Sequence, residues 1–187
     1  MEKGRVYPLV DFIDDIETKS SILTYFDIIL GITTEEGLLW NKFKTRIGTR
    51  YVNEIRFTGL EIFGHGPQIS IPACFTDIQN EITVLVRELL RVAQLTITDG
   101  SKMIPLQLFL CYYRNGKDVC PMHTHKCRQI TLSIGSDRIM TVGNNKINLY
   151  NGSVIFLHTE KHGILKEDSV EGNRLSLNLF YTTSSEM

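Results

Sequence analysis

A chain of 187 residues, 42% apolar and 22% charged, has the size and composition of a domain that buries a real core. This excludes a disordered polymer and a small disulfide-framed scaffold. The formal net charge of -1 excludes the global basic field that announces a nucleic acid, so any such contact would come from a local patch.

The chain starts with the charged run Met1-Glu-Lys-Gly-Arg5, and no cleavable apolar core follows it. No apolar run approaches the roughly 18 residues that span a bilayer. The expectation is a soluble intracellular protein of cytoplasm or nucleus, with no membrane partner and with reduced thiols. Its four cysteines, Cys74, Cys111, Cys120 and Cys127, include no Cys-x-x-Cys pair, which argues against a zinc knuckle.

The first predicted helix covers Ser20 to Gly31, with Ile22, Leu23, Phe26, Ile29 and Leu30 on one stripe. A second, short helix is expected over Thr34 to Phe43, with Trp40 facing the core. The most basic short run, Lys42-Phe-Lys-Thr-Arg46, reads as a solvated loop. Residues 50 to 63 read as a strand that His65-Gly-Pro67 breaks. The clearest helix runs from Asp77 to about Ala93, where Ile78, Ile82, Leu85, Val86, Leu89, Leu90 and Ala93 recur at three- and four-residue steps. Thr76 and Gln79 have the spacing of a capping box at its start.

From about Pro105 the period changes to short β-prone runs separated by turn signals. They are Leu106–Tyr113, Val119–His125, Gln129–Ile134, Arg138–Val142, Lys146–Tyr150, Ser153–Leu157 and Leu175–Tyr181. The fold class is α+β, mainly β: a sandwich or barrel in residues 105–187, supported by the helical residues 1–104, in one cooperative domain spanning 1–187.

Within the β-rich part, His123-Thr-His125 places two imidazoles at i and i+2. Side chains alternate along extended backbone, so the pair faces one way. A third histidine, His162, lies downstream; His158 competes with it on spacing alone. Neutral imidazoles suit zinc, copper, iron and nickel, and iron oxygenases with open positions commonly combine two histidines with a carboxylate. Here His125 stands where that carboxylate is usual. Asp118 and Asp137 lack the i+2 geometry. Arg174-Leu-Ser176 then puts a guanidinium and a hydroxyl on one strand face, a pattern suited to clamping a carboxylate.

These pieces together resemble the AlkB-like iron(II)/2-oxoglutarate dioxygenases. The resemblance covers about the last 75 residues. It is carried by Tyr113-Arg-Asn-Gly-Lys-Asp118 before His123, by Ser133-Ile-Gly135-Ser-Asp-Arg138, by Asn151-Gly-Ser-Val-Ile-Phe156, by Lys161-His162, and by Arg174-Leu-Ser-Leu-Asn-Leu-Phe180. It implies a double-stranded β-helix (jelly-roll) core, iron(II) and 2-oxoglutarate as cofactors, and oxidation of an N-methyl group on a nucleobase of methylated DNA or RNA. Carried over by position, His123 and His162 would be metal ligands and catalytic residues; His125, in the place of the aspartate, would complete a three-histidine site, the alternative being a site that uses only His123 and His162. Tyr113, Arg174 and Ser176 would hold 2-oxoglutarate, Arg138 would lie near the substrate, and residues 44 to 70 would form the substrate lid.

The departures define the alternatives. His125 replaces an aspartate, Ser176 an asparagine and Phe180 a second arginine, and Cys111 stands where an asparagine often lies. A carboxylate offsets part of a metal's charge and an imidazole does not, so the pattern also accommodates a catalytically silent binding protein or a three-histidine metalloenzyme independent of 2-oxoglutarate.

Overall fold

The computed structural model describes residues 2–32, 40–58 and 68–187. In chain order these contain β1 (Val6–Pro8), α1 (Ile16–Ile32), β2 (Asn41–Thr45), β3 (Gly48–Thr58), β4 (Gln68–Ser70), α2 (Gln79–Leu95) and β5 (Met103–Tyr113). There follow β6 (Cys120–His123), β7 (Arg128–Gly135), β8 (Arg138–Val142), β9 (Asn145–Leu149), β10 (Ser153–Leu157), β11 (His162–Ile164) and β12 (Arg174–Thr183). Short 3-10 turns, Leu9–Phe12 and Ala73–Ile78, precede α1 and α2.

The strands form two antiparallel sheets, as expected for a jelly roll. The larger has the order β1-β10-β7-β12-β5-β3-β2, with β4 paired to β3; the smaller has the order β6-β11-β8-β9. The first 104 residues are thus more than a helical support, because β1 to β4 extend the large sheet.

Strand β12 explains how this sheet divides two environments. Its odd-numbered residues Leu175, Leu177, Leu179 and Tyr181 enter the core that also holds Ile22, Phe26 and Ile29 of α1 and Ile82, Leu85 and Leu89 of α2. Its even-numbered residues Arg174, Ser176, Asn178 and Phe180 line a cavity on the other face. Period-two alternation therefore places apolar groups under the helices and mostly polar groups in the cavity. A second core, containing Val52, Tyr113, Met140, Leu149, Ile155 and Ile164, joins the two sheets.

The later strands lie close to their expected limits, with local differences. The strand expected to reach His125 ends at His123, because pairing with β11 stops there. Strands β1 and β11 are three residues each, too short to show a period. Helix α1 begins earlier than its stripe suggests, because the Asp15 carboxylate accepts the Thr18 N–H at 2.6 Å and satisfies a free donor of the first turn. Leu23, expected on its buried face, is 52% exposed.

The capping box does not form. The chain enters α2 through the 3-10 turn, Ile78 becomes the N-cap, and the Thr76 hydroxyl donates to the Ala73 carbonyl at 2.6 Å. Lys42-Phe-Lys-Thr45 is strand, not loop, paired with β3 in a hairpin closed by the Thr45 hydroxyl and Gly48. Its alternating lysines suit an edge strand, which charge protects from further pairing. This strand also overturns the C-terminal end of the helix expected over Thr34–Phe43; residues 34–39 lie outside the described residues, as do residues 59–63 and His65-Gly-Pro67. Trp40 does face the core, stacked on Tyr112 at 5.3 Å and meeting Phe75 edge-on. Among the described residues, no helix is long and apolar enough to cross a membrane.

Candidate metal centre and anion pocket

The antiparallel register of β6 and β11 sets His123 directly opposite His162. Their ring centroids lie 4.6 Å apart. His125, two residues past the pair, brings its ring to 4.6 Å from His123 and 5.4 Å from His162. One nitrogen from each residue lies within 4.8 Å of the others. This close approach of β6 and β11 depends on Gly163: a Cβ there would stand 2.7 Å from the Cys120 carbonyl oxygen and 3.0 Å from the Met122 nitrogen.

Two backbone carbonyls orient the rings. His123 Nδ1 lies 2.6 Å from the Pro121 oxygen, and His162 Nδ1 lies 2.8 Å from the Glu160 oxygen. A carbonyl only accepts, so each Nδ1 carries the proton and each Nε2 presents a lone pair. Among the described residues, the Nε2 atoms of His125 and His162 are buried without a hydrogen-bond partner. Burial also pushes the pKa of all three imidazoles down. His125 falls to about 4, because burial is reinforced by His123 and His162. The set is neutral at neutral pH, the protonation state a metal ion requires.

The rival donors are engaged elsewhere. Asp118 is buried in a two-point ion pair with Arg114, at 2.9 Å on each side, and also accepts the Arg114 N–H. Asp137 is exposed in its turn. His158 is absent from the cluster, and its backbone N–H donates to Glu160 at 2.6 Å. Among the described residues, no aspartate or glutamate lines the cavity.

Arg174 lines the same cavity, at the start of β12 between Tyr113 of β5 and Gly135 of β7. It is 1% exposed. Its Nε donates to the Ser133 hydroxyl at 2.7 Å, and Nη1 and Nη2 are buried with no partner among the described residues. The guanidinium carbon stands 5.0 Å from the centre of the Tyr113 ring. Burial raises the Tyr113 pKa and keeps this phenol protonated. Ser176 Oγ accepts from Asn178 Nδ2 at 3.0 Å, so its own proton remains available to donate. A buried guanidinium with no carboxylate among the described residues lining its cavity is costly, and a two-oxygen anion satisfies Nη1 and Nη2 at once. The donor set therefore fits a divalent metal, and Arg174 fits a carboxylate beyond it.

The cavity is narrow. Space for the centre of a water molecule amounts to about 20 Å³, within about 380 Å³ of space between atoms once the mouth is counted. Phe180 narrows it, with its ring 4.5 Å from His125 and 5.8 Å from Phe109.

Arg138 is not among the residues lining this cavity. Its side chain is 1% exposed, and its nitrogens bond Glu167 at 3.0 Å and the carbonyls of Asn115, Asp118 and Leu165 at 2.9–3.2 Å. It ties the loop before β6 to the loop after β11, a structural task that engages four of its five N–H donors. Conversely, Arg50 of β3 and Asn178 line the cavity, although the sequence reading does not single them out. The alternation of β12 contains the signal for Asn178. That for Arg50 needs the pairing of β3 with β5, which no local pattern carries.

No protein-family model matches the chain, and no curated protein does. Solved structures do. An oxidoreductase of the 2OG-Fe(II) oxygenase family from Burkholderia pseudomallei aligns with a TM-score of 0.59 at 15% identity, over 95% of this chain and 84% of its own. A prolyl hydroxylase from Trichoplax adhaerens, solved with a hypoxia inducible factor oxygen degradation domain peptide, gives 0.58 at 8% identity, over 97% and 84%. A full-length protein of Neurospora crassa, solved in complex with alpha-KG, gives 0.52 at 11% identity, over 92% and 72%. At these identities the likeness establishes a shared fold.

Proposed function

We propose that this chain is an iron(II)/2-oxoglutarate-dependent oxygenase whose metal is held by His123, His125 and His162. The observation that carries this reading is the presence, in one cavity, of three converging neutral imidazoles and a buried guanidinium with two unpartnered nitrogens. The 2OG-Fe(II) oxygenase and the alpha-KG complex that share the fold support the choice of iron and 2-oxoglutarate.

Each residue has a definite task. Pro121 and Glu160 fix the tautomers of His123 and His162, so that Nε2 faces the metal. Arg174 holds the far carboxylate of 2-oxoglutarate through Nη1 and Nη2, while Ser133 fixes the guanidinium plane. Ser176 donates its free proton to the same carboxylate, and the protonated Tyr113 phenol flanks it. Phe109 and Phe180 keep water from the reacting end. Bound iron(II) supplies the oxygen chemistry that couples decarboxylation of 2-oxoglutarate to hydroxylation of a C–H bond. The net reaction converts 2-oxoglutarate, oxygen and an N-methyl group into succinate, carbon dioxide and an N-hydroxymethyl group, which departs as formaldehyde. The AlkB-like motifs motivate a methylated nucleobase in DNA or RNA as the substrate, taken single-stranded or flipped out.

One observation favours a second reading. Among the described residues the cavity lacks any carboxylate, so a bound cation keeps more of its charge and holds anions more firmly. That suits a protein that binds metal and diacid without turnover. Succinate formation from 2-oxoglutarate, with iron(II), oxygen and methylated oligonucleotides, separates the two. The enzyme reading expects succinate and formaldehyde in equal amounts. Metal and 2-oxoglutarate binding without either product would establish the silent protein instead.

A further inference from the structure

Arg50 is a second guanidinium in the cavity, and the tasks assigned above leave it unused. It sits one residue from Tyr51, which pairs with Tyr112 of β5. Arg174 pairs with Tyr113 on the opposite edge of β5. The two arginines thus flank the same strand and line one cavity. Arg50 Nη2 approaches the Cys111 sulfur, at 3.6 Å, and its Nε is buried with no partner among the described residues. Burial raises the Cys111 pKa, so that thiol is neutral and offers no countercharge. The acid nearest in sequence, Glu54, faces Arg56 at 3.7 Å. Arg50 is also firmly placed: the adjacent Thr49 carbonyl accepts the Val119 N–H at 3.0 Å, and Thr49 forms a bridge with Asp118 in the approach to His123.

The charges do not balance with a single diacid. Two guanidiniums and a divalent metal on neutral imidazoles carry four positive charges, and among the described residues no acidic side chain lines the cavity. A 2-oxoglutarate dianion offsets two. Its far carboxylate takes Arg174, its other end belongs to the metal, and Arg50 remains. Arg50 lines the cavity together with His123, His125 and His162. We propose that Arg50 binds an oxyanion of the primary substrate, a carboxylate or phosphate, so that the substrate is anionic and its acidic group enters the cavity that holds the three histidines. This rests on the assignment of Arg174 and the three histidines to 2-oxoglutarate and metal.

The test uses the full chain loaded with zinc(II), a redox-inert stand-in, and saturated with 2-oxoglutarate. Inorganic phosphate and acetate are titrated separately by calorimetry at fixed ionic strength. Saturable binding of one of them is expected, weakened at least about tenfold by Arg50→Gln and partly restored by Arg50→Lys. Preference for phosphate or acetate identifies the acid class. Absence of saturable binding, or equal binding by Arg50→Gln, would overturn the proposal. So would a loss of 2-oxoglutarate affinity in Arg50→Gln as large as in Arg174→Gln, because Arg50 would then belong to the diacid. Failure of the underlying assignment looks different: wild-type protein would take up no 2-oxoglutarate, or Arg174→Gln would bind it as well as wild type. Melting curves of each variant verify that it is folded.

Discussion

His125 shows how much a single side chain decides. The sequence marks it as an imidazole where a carboxylate is usual, and the fold gives it two imidazole neighbours and a buried Nε2. Its pKa is held at about 4, against an ordinary 6.5, by burial and then by His123 and His162. Between those values the unfolded chain takes up a proton that the folded, metal-free chain refuses. Acid therefore favours unfolding, and the metal-free protein should lose stability as pH falls from about 6.5 to about 4. Urea midpoints measured at stepped pH should show this loss, with a shallower slope in His125→Gln. Equal slopes would mean that His125 titrates normally. Arg138 is the opposite case: a motif residue that the resemblance assigns to substrate and that burial assigns to the frame. Arg138→Met should cost about 3–5 kcal/mol in denaturant unfolding, because Glu167 is left without its cation and three carbonyls lose a donor. A cost under about 1 kcal/mol would contradict that role.

At the scale of elements, the site depends on how closely β6 and β11 approach. His162 faces His123 only while Gly163 lets the Cys120 carbonyl lie close to where a Cβ would be. Backbone atoms cannot rotate away as a side chain can. Gly163→Ala should therefore shift β11 and weaken zinc or iron(II) binding at least about tenfold, with little change in helical circular dichroism. Unchanged metal affinity would show that the strand has room to spare. This dependence is not legible in the sequence, because β11 is three residues long and its partner lies far back along the chain. The longer strands are legible, since Leu175, Leu177 and Leu179 alternate with Arg174, Ser176 and Asn178. The start of α2 misleads a local reading: Thr76 and Gln79 have capping-box spacing, but a 3-10 turn takes up the Thr76 hydroxyl.

For the whole molecule, the large sheet is the organising element. Helices α1 and α2 cover its outer face with apolar side chains; its inner face and the small sheet enclose histidines and arginines. The class of fold is readable locally, from period and turns, and spacing marks the pair His123 and His125; His162 and Arg174 stand out only through the family resemblance. Arg50 is not readable in either way, because which strand lies beside β5 is set by global packing. The central claim is that this enclosure holds a metal at one end and a diacid at the other. It is tested most directly by titrating 2-oxoglutarate into the iron(II)-loaded protein without oxygen, in wild type and in Arg174→Gln. One equivalent should bind wild type, and the variant, with its metal retained, should bind about 100-fold more weakly, because a buried charge partner is lost. Wild-type protein that takes up no 2-oxoglutarate, or a variant that binds it equally well, would contradict the account.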